Sequence, residues 1–145
     1  MADPGNIGIV HSNNPTPIYF YTHFDGRYVT RLLAEGLKRS LDADRLYDES
    51  YATRIVFDTL TGCTGGTTSY GIYIGEPLWI ESPIPIPIPI VSWEGHPLED
   101  PDVIYEGRKF TALDFIAEYL ATPEIMAEPT KNDQTETEPE KGAES

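Results

Sequence analysis

Pro17-Ile18-Tyr19-Phe20-Tyr21-Thr22-His23-Phe24-Asp25-Gly26-Arg27-Tyr28, running on into Val29-Thr30-Arg31-Leu32-Leu33, is the stretch that decides the fold. It reads as a strand, a tight polar turn and the start of a helix. Side chains alternate along a strand, so Ile18, Phe20 and Thr22 share one face and Tyr19, Tyr21 and His23 the other. At Asp25-Gly26 an aspartate that can bond its own backbone precedes a residue that accepts a positive φ, which is turn chemistry. Aromatic and ionisable side chains are densest here, so a functional site is expected at this corner.

Upstream, Ile7-Gly8-Ile9-Val10-His11 is β-prone, and Ser12-Asn13-Asn14-Pro15 is a run of turn formers. Residues 7–22 therefore read as an antiparallel hairpin with a loop slightly longer than two residues. Downstream, Val29, Leu32, Leu33, Gly36 and Leu37 recur at helical period and predict a helix over 29–40. Asp48 is placed to cap a second helix over 49–60, with Ala52, Ile55, Val56 and Leu60 inward and Gly62 at its end. Tyr70-Gly71-Ile72-Tyr73-Ile74 returns the chain to β, and Leu78-Trp79-Ile80 is a candidate extension. Val103-Ile104-Tyr105 with the turn at Glu106-Gly107 predicts one more short strand continuing toward Phe110. Thr111 and Asp114 resemble a capping box before a third helix over 112–121, which Pro123 stops.

Pro83-Ile84-Pro85-Ile86-Pro87-Ile88-Pro89-Ile90-Val91 admits two readings. In an extended strand the prolines fall on one side and strip hydrogen-bond donors from one edge only, which predicts an edge strand blocked against further pairing. The alternative is a polyproline helix acting as ligand or spacer, although its three-residue turn spreads an every-second-residue pattern around the axis. The edge strand is the expectation.

The fold class is accordingly α+β: a small antiparallel or mixed sheet with an N-terminal hairpin and about three helices. Residues 1–122 are expected to form one domain and 123–145, rich in Glu, Thr, Pro and Lys, a disordered acidic tail. The 145 residues carry 24 acidic and 10 basic side chains, a net charge of −14. So large an excess argues against direct nucleic-acid binding, which needs clustered Lys and Arg, and favours a basic partner or mimicry of a polyanion. The single cysteine, Cys63, permits no internal disulfide and is expected to be a small buried filler. The opening residues lack the pattern of a signal peptide and no apolar run is long enough to span a bilayer; a cytoplasmic protein without membrane contact is expected.

His23 and Asp25, with Arg27 close by, are the catalytic candidates. A histidine and a carboxylate can form a general base and its orienter, or half a metal site. The same two residues can simply shape the corner. No second histidine or carboxylate stands at ligand spacing in this element, so the corner-shaping role is expected and no metal or cofactor is implied. The sequence does not say whether His11 or His96 approaches. Tyr19, Tyr21, His23, Phe24 and Arg27 are the candidate binding residues, since tyrosine-rich surfaces bury area at low entropy cost; aromatic packing on a half-buried sheet explains the same tyrosines.

Tyr21-Thr22-His23-Phe24-Asp25-Gly26, Tyr51-Ala52-Thr53-Arg54-Ile55-Val56-Phe57 and Ser69-Tyr70-Gly71-Ile72 together resemble, in block order over about residues 7–120, a family of small proteins of actinobacteria, other prokaryotes and their phages. Members carry a tyrosine-threonine-histidine-tryptophan-aspartate-glycine block. This chain departs from the pattern at Phe24, Ala52 and Ser69 and adds the Pro-Ile run. The resemblance implies a setting, a phage or prophage product in the bacterial cytoplasm, and no mechanism. The expected function is that of a small accessory protein that binds a host or phage protein. The alternatives are a small hydrolase or nuclease using His23 and Asp25, and an acidic mimic of DNA.

Overall fold

The computed structural model describes residues 3–23, 25–62, 71–78 and 87–120. The expectations for Phe24, for Cys63 and its loop, for Trp79-Ile80, for the first half of the Pro-Ile run and for the tail at 123–145 lie outside the described residues.

The fold is α+β: the described residues form a six-stranded mixed sheet with three helices. Its strands are β1 (Gly5–His11), β2 (Asn14–Thr22), β3 (Ile72–Gly75), β4 (Ile90–Ser92), β5 (Asp102–Tyr105) and β6 (Arg108–Thr111), in the order β3-β2-β1-β4-β5-β6. β1 and β2 form the N-terminal hairpin, with Ile7 opposite Phe20 and His11 opposite Asn14. Its loop is therefore the two residues Ser12-Asn13, shorter than the turn-former cluster suggested, because pairing continues through Asn14. A register shift between Ile9 and His11 takes up the irregularity.

α1 (Val29–Asp42), α2 (Glu49–Gly62) and α3 (Ala112–Leu120) cover one face of the sheet. The apolar stripe of α1 is buried as its period required: Val29, Leu32, Leu33, Gly36 and Leu37 all face inward, and each fully buried leucine contributes about 1.5–3 kcal/mol. A Cβ at Gly36 would stand 3.0 Å from Val56 Cα, so the missing side chain is what lets α1 and α2 approach so closely. Both predicted caps form. Asp48 Oδ1 accepts from Tyr51 N–H at 3.2 Å and Thr111 Oγ1 from Asp114 N–H at 3.1 Å. Against the helices lie Ile7, Ile9, Phe20, Val91, Trp93, Val103 and Phe110.

Two expectations about strands are corrected. The segment from Val103 to Phe110 is not one strand but the hairpin β5–β6, because Glu106 and Gly107 both take positive φ (50° and 78°). That is the backbone signature of the tight turn whose twist suits paired strands. The Pro-Ile run, where described, supplies no edge strand. Pro87–Pro89 lie outside any strand, and β4 begins at Ile90, in the interior of the sheet, parallel to β1 and antiparallel to β5. Proline offers no N–H, so pairing on both sides starts only after the last proline. The Pro89 carbonyl still accepts from Gly8 N–H at 2.9 Å.

Candidate functional site

The corner after β2 is built by a segment the sequence did not implicate. Residues 3–5 cross directly over Gly26. Asp3 N–H donates to the His23 carbonyl and Gly26 N–H to the Asp3 carbonyl, both at 2.7 Å. A Cβ on Gly26 would fall 2.0 Å from the Pro4 oxygen, so only glycine fits beneath this crossing. The Asp3 carboxylate then takes the Arg27 backbone N–H at 3.2 Å and the Arg27 Nε at 2.7 Å. Capping of the 3-10 turn Gly26–Tyr28 thus comes from Asp3. Asp25, expected to bond its own backbone, makes no side-chain cap bond. Its Oδ2 is buried with no hydrogen-bond partner among the described residues, and burial, with the Asp3 charge second, pushes its carboxyl above the ordinary carboxylate value.

The candidate residues separate accordingly. Tyr21 OH and His23 Nδ1 form a hydrogen bond of 2.8 Å, while no hydrogen bond joins His23 to Asp25, so the structure assembles no base-and-orienter pair from those two. Arg27 is exposed and held by Asp3. Tyr19 is half-buried, its ring lying over Gly8. Tyr21, a candidate for the contact surface, is only 1% exposed. Its ring stacks on Tyr73 of the neighbouring strand, centroids 5.9 Å apart, and Tyr73 takes the outer place. An open groove of about 280 Å³ beside the corner is lined by Asp3, Arg27, Thr30, Pro87 and Tyr105.

Each of the three histidines has partners of its own. His11 lies at the far end of β1, edge-on to Trp93 at 5.7 Å, with Nε2 2.9 Å from Thr53 Oγ1. The Thr53 hydroxyl already donates to the Glu49 carbonyl at 2.6 Å, so His11 must donate from Nε2, which fixes its tautomer. His96 contacts Asp102 at 3.0 Å and Glu99 at 3.4 Å. Among the described residues no group of three or more His, Cys, Asp or Glu could hold a metal ion.

At the same far end Glu49 grips the hairpin loop: Oε1 accepts from Ser12 N–H at 2.7 Å and Oε2 from Ser12 Oγ at 2.6 Å. A groove of about 420 Å³ beside it is lined by His11, Asn14, Tyr47, Glu49 and Leu98, among others. Sequence reasoning missed this contact, since a turn former and a first-turn glutamate 37 positions apart carry no shared signal.

The third feature is β3, the end strand next to β2. Tyr73 is 50% and Ile74 59% exposed, and Ile18 and Leu78 are also exposed. The Asn6 side chain anchors the chain just past this strand, donating to the Leu78 carbonyl at 2.8 Å and accepting its N–H at 3.1 Å. The chain is thus tied back to β1 just past this strand. No helix among the described residues is long and apolar enough to cross a membrane. Comparison with family models, curated proteins and solved structures finds no match to this chain.

Proposed function

We propose that this is a small accessory protein, phage- or prophage-encoded and cytoplasmic in a bacterial host, that acts by binding a protein partner through the β2–β3 end of its sheet. The observation that carries this reading is the exposure of Ile18, Tyr73, Ile74 and Leu78 around the end strand, Ile74 on the helix-covered face of the sheet and Tyr73 on the other. Large apolar side chains gathered around one strand edge support a contact site, and tyrosine is a favoured anchor in such contacts.

A hydrolase or nuclease at His23 and Asp25 draws less support, since general base catalysis needs the base within hydrogen-bond reach of its partners and the two are not joined. A DNA mimic needs an unbroken anionic surface, whereas here basic side chains interrupt the acidic ones, as in Lys38–Asp42, Arg54–Asp58 and Arg108–Glu118. The test is photo-crosslinking in bacterial host lysate from benzoylphenylalanine placed at Tyr73 or, as control, at Leu113, which is 53% exposed on α3. A discrete adduct from position 73, absent from position 113 and lost on Ile74→Glu, is the expected result. Identical adducts from both positions, or none from 73, overturn the reading.

A further inference from the structure

The hydrogen-bond parity of β3 says how a partner can attach there. His23 N–H donates to the Gly71 carbonyl at 3.0 Å, and the register continues as Thr22 with Ile72, Tyr21 with Tyr73, Phe20 with Ile74 and Tyr19 with Gly75. In an antiparallel pair, residues that exchange both backbone bonds with their opposite alternate with residues that exchange none. Gly71, Tyr73 and Gly75 therefore turn N–H and C=O toward β2, and Ile72 and Ile74 turn theirs outward. Among the described residues β3 ends the sheet and nothing pairs with its outer edge.

Sheet edges are ordinarily guarded by charge, proline or a bulge. Ile72-Tyr73-Ile74-Gly75 carries no charged residue and no proline. Its side chains also suit an incoming strand: Ile74 lies on the helix-covered side and Tyr73 on the other, each at least half exposed. A second copy of this chain would present the same edge, but each copy carries a net charge of −14. Like-charge repulsion opposes joining two such short edges, and the same field draws a cationic chain. Exposed Glu76, directly after the strand, adds negative charge at the edge itself.

We infer that β3 takes up an extended, basic segment of its partner as an added strand, bonded through the backbone of Ile72 and Ile74, with the aliphatic residues of that segment on the face of Ile74 and its alternating Lys or Arg side chains on the face of Tyr73, in the negative field. This rests on the binding reading above and adds the geometry and chemistry of the partner. Main-chain bonds supply affinity in such strand addition and side chains supply selection.

The test uses labelled synthetic peptides and fluorescence anisotropy with the full chain: a seven-residue peptide alternating lysine and valine, its glutamate-for-lysine counterpart, and the lysine peptide N-methylated on every amide. The lysine peptide is expected to bind at least tenfold more tightly than either of the others. Ile74→Pro should weaken it at least tenfold while leaving the melting temperature close to wild type, because the N–H at 74 faces outward and serves no native bond. Equal binding of the N-methylated peptide to the wild-type protein would reduce the attraction to charge alone and overturn strand addition, whatever the fate of the proline variant. A wild-type dimer in sedimentation that Ile74→Pro dissolves would assign the edge to a second copy instead. A partner crosslinked from position 73 as strongly in Ile74→Pro as in wild type would leave the binding reading intact and remove only the strand-addition mode.

Discussion

The two ends of β1 solve the same problem with the same chemistry and arrive at different states. At each end a carboxylate from elsewhere in the chain receives two donors from a turn: Asp3 takes the backbone N–H and Nε of Arg27, and Glu49 takes the backbone N–H and hydroxyl of Ser12. At the Glu49 end the polar groups are matched and His11 is locked through Thr53. At the Asp3 end a second carboxylate, Asp25, is left with a buried oxygen that no described residue satisfies. Both ends are anchored, and at the Asp3 end the Asp25 carboxyl titrates above its ordinary value, through burial and then the Asp3 charge. The difference teaches that the densest ionisable cluster in the sequence is also the place where the fold tolerates a poorly satisfied group, the half-buried Asp25.

The comparison is broken most severely at the crossing itself. Gly26→Ala sets a Cβ 2.0 Å from one backbone oxygen and 2.4 Å from its carbonyl carbon. Neither can swing aside as a side chain would, so the loss in chemical denaturation should reach about 3 kcal/mol or more, the upper end for overpacking. An alanine variant within about 1 kcal/mol of wild type would show that residues 3–5 can lift away freely.

The far end should yield less. Glu49→Ala leaves the N–H and hydroxyl of Ser12 without their charged acceptor and is expected to cost about 2 kcal/mol in the same assay. Glu49→Gln, which keeps one acceptor oxygen, should recover part of that. Equal losses for the two variants would mean that the charge rather than the pairing matters there.

The smallest effect sharpens the comparison by its opposite sign. The Asp25 carboxyl titrates above its ordinary value near 3.8 because burial, and then Asp3, disfavour its charge. A folded-state pKa raised in this way gives stabilisation that is complete below the unfolded value and is lost as pH rises through the folded one. Asp25→Asn removes that loss. The variant should melt at a higher temperature than wild type at neutral pH, and the gap should close as pH falls toward 3.8. A variant less stable than wild type at neutral pH would show that the ionised carboxylate is needed at the corner.

Much of this chain was legible one residue after another. The stripe of α1 follows from apolar residues at helical period, the caps at Asp48 and Thr111 from oxygen-bearing side chains just ahead of unpaired amides, and the hairpin from two β-prone runs around turn formers. These are local matters, settled by spacing within a few residues. The α+β class follows from the same signals taken together.

What remained was decided by contacts between distant residues. Strand order put β4 inside the sheet although its approach is rich in proline, because pairing depends on which donors remain after Pro89, not on composition. Tyr21 and Tyr73 are the same residue type, and it is their places in the assembled sheet, β2 inside and β3 at the end of the described strands, that go with burial of the first and exposure of the second. Asp3 replaces Asp25 as the cap because the chain's first residues fold back over the corner, and Asn6 meets Leu78 across 72 positions. Periodicity records which side of an element is apolar. Which neighbour meets that side, and which edge is left open, are properties of the assembled sheet.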